Sequence, residues 1–116
     1  MIIYVYPKCS TCQNALRFLE QKKVEVTIQD IVKEPPPEEE LESMLAFQQG
    51  NMTKLLNTSG MLYREMELSQ KIKEMSVAQV LSLLNQHGML IKRPFLLAET
   101  FGLTGFNEEK WSMHLL

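Results

Sequence analysis

Tyr6-Pro7-Lys8-Cys9-Ser10-Thr11-Cys12-Gln13-Asn14 holds both cysteines of the chain, and its flanks decide the fold. Upstream, Ile2 to Tyr6 is short, apolar and rich in β-branched and aromatic residues, and Pro7 ends it. That pattern is a buried strand. Downstream, Cys12, Ala15, Leu16 and Leu19 recur at helical spacing. Val24, Val26 and Ile28 then alternate with polar residues, which reads as a second strand. Strand, helix and strand within about thirty residues make a βαβ unit, with parallel strands and a right-handed crossover.

The cysteines therefore sit where a strand hands over to a helix. The first helical turn presents unpaired N–H groups and partial positive charge, and both favour thiolate over thiol. A free cysteine has a pKa of about 8.5, and such a site lowers it by one to several units. Lys8 adds a neighbouring positive charge. Cys12 lies one turn further on, within reach of a disulfide, so Cys9 would attack and Cys12 would resolve. Two other readings stay open on these residues. Ser10 and Gln13 fit a capping box, which would leave the thiols as small residues at a helix start. A zinc half-site would need further ligands. The histidines, His87 and His114, are isolated, so no metal is expected.

Composition narrows the class. The chain has 116 residues, of which 45% are hydrophobic and 22% charged. These are globular values, and the length supports a core without staples. A formal net charge of -2 argues against a basic surface for nucleic acid. No apolar run reaches transmembrane length, and MIIYVYP lacks the flanks of a signal peptide. A cytoplasmic protein with no membrane partner is expected. There, two cysteines point to redox or catalytic use rather than to a structural staple.

The rest of the chain completes the architecture. Pro35-Pro36-Pro37 leads into Glu38-Glu39-Glu40, a solvated first turn for a helix with Leu41, Met44 and Leu45 as its stripe and Gly50 as its stop. A short helical piece spans Asn51 to Leu56, and Asn57-Thr58-Ser59-Gly60 is a loop able to offer donors. Ser76 and Gln79 form a capping box before Val77, Val80, Leu81 and Leu84, and His87-Gly88 ends that helix. Phe95 to Ala98 is a strand, Gly102 a turn, and Leu103 to Phe106 the second arm of a hairpin. Asn107 caps a last helical turn containing Trp111.

The order is β-α-β, helices, β-β-α: an α/β chain, read as one domain with a thioredoxin-like fold split by a helical insertion. The core falls at about 1–30 and 88–116, and the insertion at about 36–87. In such folds a cis-proline faces the cysteines. Pro94 is the candidate, and it would deliver Arg93 beside Cys9, where a guanidinium stabilises a thiolate and binds an oxyanion. The other reading of Arg93 is a surface residue at a turn.

YPKCSTCQNA, DIVKEPPPEEEL, LLNTSGMLYRE, MSVAQVLSLLNQHGMLIKRPFLL and GFNEEKW occur in this order. Together they resemble the arsenate reductase/Spx family, in its two-cysteine members, from Tyr4 to Trp111. The resemblance implies a redox nucleophile at Cys9, a resolving Cys12 and an assisting Arg93. It also implies substrate contacts from Ser10, Thr11, Gln13, Asn57 and Pro94. No cofactor is implied. The reductant would be thioredoxin or a glutathione/glutaredoxin system. Spx-type members instead act as thiol sensors on the RNA polymerase α subunit, without direct nucleic-acid contact. Glutaredoxin-coupled arsenate reductases follow their cysteine with G-T-S-R and supply three later arginines. Here Cys12 replaces the serine and Gln13 the arginine. Arg93 is kept, while Asn57 and Phe106 stand in the other two places. The expectation is a shift from oxyanion reduction toward disulfide exchange.

Overall fold

A computed structural model of the chain describes residues 1–115. The element order is β1 (Ile2–Val5), α1 (Ser10–Gln21), β2 (Thr27–Asp30), α2 (Glu38–Phe47), α3 (Met61–Glu65), α4 (Leu68–Lys71), α5 (Val77–Gln86), β3 (Phe95–Leu97), β4 (Gly102–Thr104) and α6 (Glu108–Leu115). Short 3-10 turns cover Met52–Leu55, Ile72–Glu74 and Gly88–Leu90. One sheet runs in the order β2-β1-β3-β4. β1 and β2 are parallel, with Ile3 opposite Ile28, while β1–β3 and β3–β4 are antiparallel. The fold is therefore the split thioredoxin-like α/β arrangement: the N-terminal βαβ unit and the C-terminal hairpin share one sheet.

Strand alternation builds two cores, because successive side chains face opposite sides of a sheet. Ile3, Val5 and Leu96 face α1 and α6, packing with Cys12, Ala15, Phe18, Leu19 and Trp111. Tyr4 and Phe95 face the helices of residues 38–87, packing with Leu41, Met44, Leu55, Leu81 and Leu84. Their rings meet edge-on at 5.7 Å. Phe18, Phe106 and Trp111 form an aromatic cluster under the other face, with Trp111 edge-on to both. Among the described residues no helix is long and apolar enough to cross a membrane.

Several local expectations are corrected. The second strand begins at Thr27 instead of Val24, because Val24 is spent closing α1. Lys23 takes a left-handed conformation (φ 57). Lys23 N–H then donates to the Glu20 carbonyl and Val24 N–H to that of Leu19. This is a Schellman termination, here with a lysine in the usual glycine position. Gln49 does the same for α2, so the turn of hand begins one residue before Gly50, which is left-handed as well. Glu40 is not merely solvated: Tyr4 Oη donates to its carboxylate at 2.7 Å. Burial, then that carboxylate, push the tyrosine hydroxyl well above its ordinary pKa. Gly102 lies in β4, and that strand stops at Thr104. Helices α3 and α4 had no periodic signal long enough to reveal them; each is five residues or fewer. The Ser76–Gln79 capping box is present in full, and Asn107 caps α6 through Lys110 N–H at 2.9 Å.

Candidate active site

The helix cap holds the main departure from the sequence reading. Cys9, not Ser10, is the N-cap of α1. Its backbone is extended (φ -96, ψ 116), its carbonyl accepts from Gln13 N–H at 3.1 Å, and its sulfur accepts from Cys12 N–H at 3.4 Å. Gln13 forms no capping box; its side-chain amide turns back to the Pro7 carbonyl at 3.1 Å. A cap that is itself a sulfur lies where the helix is most positive. Both cysteines are free thiols, Cys9 partly exposed and Cys12 buried.

The two sulfurs are driven apart. Partial burial works against a Cys9 thiolate, but hydrogen bonds from the Cys12 thiol, the Cys12 N–H and Arg93, together with the arginine's charge, hold the Cys9 pKa below the ordinary thiol value. Burial, with the Cys9 charge adding to it, pushes Cys12 up to about 12, against a hydrogen bond with the Tyr6 backbone and the Arg93 charge. One thiol is thus poised to be an anion while the other stays a donor to it.

This asymmetry sets a pH dependence of stability. Cys9 binds fewer protons folded than unfolded below about pH 8.5, so stability rises with pH there. Cys12 binds more protons folded than unfolded from about pH 8.5 up to about 12, so stability falls across that window. Urea midpoints of the reduced protein from pH 7 upward are expected to pass through a maximum near pH 8–9. In Cys12→Ala the alkaline decline is expected to shrink, leaving the part due to Tyr4.

Backbone stitching brings distant segments to Cys9. Leu56 and Ile91 form an isolated antiparallel bridge. Asn57 N–H donates to the Leu90 carbonyl and Lys92 N–H to that of Leu55, both at 2.8 Å. The Arg93–Pro94 peptide is cis, and the Pro94 carbonyl accepts from Gly105 N–H at 2.9 Å. Gly105 has φ +70, a conformation side chains rarely adopt. Arg93 is held over the Tyr6 ring, 5.0 Å from its centroid, with Nη1 3.8 Å from the Met89 sulfur.

A cleft of about 540 Å³ opens at this junction, lined by Cys9, Thr11, Asn57, Ser59, Lys92 and Arg93 together with Phe106, Asn107, Lys110 and Trp111. Of the predicted positions, Cys9, Thr11, Asn57 and Arg93 come together there. Cys12 and Pro94 are buried and absent from the lining. Ser10 and Gln13 are exposed on α1 and do not line the cleft. Gln13 instead borders a separate hollow of about 890 Å³ between α1 and the start of β2. Lys92 and Lys110 were not singled out from the sequence. Their signals were Lys92 two residues before the proline that turns the chain, and Lys110 three residues after a capping asparagine. Among the described residues no three His, Cys, Asp or Glu side chains gather as a metal site would require.

Two cysteines of divergent acidity on a split thioredoxin-like fold, faced by an arginine before a cis-proline, define the class. The chain belongs to the ArsC family, whose model matches residues 4–113. It is 39% identical over 111 residues to the uncharacterized protein YusI of Bacillus subtilis (strain 168), covering 96% of this chain and 94% of that one. It is 26% identical over 110 residues to the global transcriptional regulator Spx 2 of Bacillus anthracis, covering 95% and 82%. Among solved structures, an ArsC family related protein from Bacteroides fragilis superposes with a TM-score of 0.91 at 37% identity, covering 99% and 96%.

Proposed function

We propose that the protein is a thiol–disulfide oxidoreductase of the ArsC family. The Cys9 thiolate attacks one sulfur of a substrate disulfide, breaking the S–S bond and releasing the other half as a thiolate. Cys12 then loses its proton, attacks the Cys9 sulfur and expels the retained half as a second thiolate. The substrate gains two electrons and the protein is left with a Cys9–Cys12 disulfide. Thioredoxin or a glutathione/glutaredoxin system returns the two electrons. Arg93 steadies the Cys9 anion, and Thr11 and Asn57 contact substrate from the cleft wall. Pro94 shapes the turn that presents Arg93. The residues of about 36–87 are an insertion into a thioredoxin-like core. Arsenate is a candidate alternative substrate of the same nucleophile.

The observation that carries this reading is the division of labour between the sulfurs: one partly exposed at a helix cap with its pKa held below the ordinary thiol value, the other buried with its pKa raised. Cys12→Ser tests it. Treated with a neutral disulfide, this variant is expected to stop at a stable mixed disulfide, visible as an intact-mass increase. The wild type should pass on to the intramolecular disulfide. A wild type that also stops at the adduct would overturn the resolving role.

A second reading is favoured by the similarity to an Spx regulator. The same cysteine switch would then set affinity for the RNA polymerase α subunit's C-terminal domain. Capture of that domain by only one redox state would support it, and no capture by either state would remove it.

A further inference from the structure

The cleft around Cys9 carries more positive charge than the thiolate needs. The cleft lining contains Lys92, Arg93 and Lys110 and no carboxylate, although the chain as a whole has a net charge of -2. Arg93 is already committed to Cys9, to the Tyr6 ring and to Met89. The lysines have a different setting. Lys92 leaves an extended segment held by its N–H bond to Leu55, and its stem crosses the β4–α6 turn at Gly105. A Cβ at that glycine would lie 3.1 Å from Lys92 Cε and 3.9 Å from Nζ. The bare glycine thus leaves room for the lysine to lie over the turn. Lys110 comes from the first turn of α6, whose start is held by Asn107. Phe106 and Trp111 line the same cleft, with Trp111 Nε1 donating to the Gly105 carbonyl at 3.1 Å. Two lysines from separate elements line the cleft together with aromatic surface and the Cys9 sulfur, the composition of a receptor for a small organic anion.

We propose that Lys92 and Lys110 form an anion subsite in the Cys9 cleft, selecting disulfides of low molecular weight that carry a carboxylate. This rests on the thiol–disulfide reading above and names the substrate class for it. The carboxylate is held by the lysines while Cys9 attacks the nearer sulfur and the distal half departs as a thiolate. Electrons and protons balance as in the two steps already given. Arginines in place of Asn57 and Phe106 are not needed for this task, because the anion sits away from the reacting sulfur.

The test compares second-order rates of the reduced protein with three disulfides: 3,3′-dithiodipropionate (anionic), 2-hydroxyethyl disulfide (neutral) and cystamine (cationic). The readout is the anionic-to-neutral ratio within each variant, which cancels any general change in Cys9 reactivity. In Lys92→Gln/Lys110→Gln the ratio is expected to fall about tenfold, at about threefold per lysine, and in wild type it should fall similarly at about 0.5 M salt. Lys110→Glu is expected to shift preference toward cystamine. Circular dichroism confirms that each variant is folded. A ratio unchanged in the double variant overturns the subsite while leaving disulfide exchange standing. Failure of the wild type to react with all three probes, the neutral one included, overturns disulfide exchange itself.

Discussion

Cys9→Ser is expected to lower the rate of reaction with any disulfide by more than about a thousandfold, with little change in stability below the pH at which Cys9 ionises. The reason lies in the double duty of the sulfur. As a nucleophile it depends on being an anion, and a serine hydroxyl stays protonated at every pH the protein survives. As the cap of α1 it only has to accept from Cys12 N–H, and serine is among the best residues for that. Activity and folding should therefore separate cleanly. Disulfide reduction would be followed with a neutral disulfide, and stability by urea unfolding under reducing conditions. If most of the rate survives in Cys9→Ser, Cys12 would have to be the nucleophile, against its burial and raised pKa. If stability collapses instead, the cap would depend on sulfur in a way that its hydrogen-bond geometry does not suggest.

Gly88→Ala is expected to cost more than about 3 kcal/mol of stability, from one added methyl group. A Cβ at Gly88 would stand 1.8 Å from the Ile31 carbonyl oxygen and 2.7 Å from its carbon. Both are backbone atoms of the buried Ile31, just after β2, so no side-chain rotation relieves the clash. The chain between α5 and Arg93 must then shift, and with it the bridge from Ile91 to Leu56 that positions the cleft. Gly50→Ala is the contrast: nothing lies within 4 Å of the new atom and φ is +77, so only the left-handed strain of about 1–2 kcal/mol applies. Paired urea titrations of the two variants measure the difference. Equal costs would show that Gly88 does not approach Ile31 so closely.

Elements with a long enough pattern were legible without the structure. The stripe of Cys12, Ala15 and Leu19 predicts α1, Ser76 and Gln79 mark the start of α5, and Asn107 marks that of α6. The proline after Arg93 pointed to a special turn, and the peptide there is cis. Where reading failed, a tertiary or backbone demand had overridden local preference. Val24 and Val26 look like alternating strand, but Val24 N–H is taken by the helix before it. Ser10 and Gln13 have the letters of a capping box, but the residue before them reached the cap first. Gln13 was thereby freed from the site and turned to the Pro7 carbonyl.

By itself the sequence determined the chemistry available: two thiols one helical turn apart, after a strand, in a chain able to build a core without them. Such information is local, because strand, turn and helix propensities act over a few residues. Only the tertiary structure decided which sulfur caps the helix and which is shielded, since burial and hydrogen bonding depend on neighbours far along the chain. It also decided that Asn57, Arg93 and Lys110 share one cleft with Cys9. Those residues meet because the sheet order β2-β1-β3-β4 folds the C-terminal hairpin back beside β1, a placement that no spacing within YPKCSTCQN encodes.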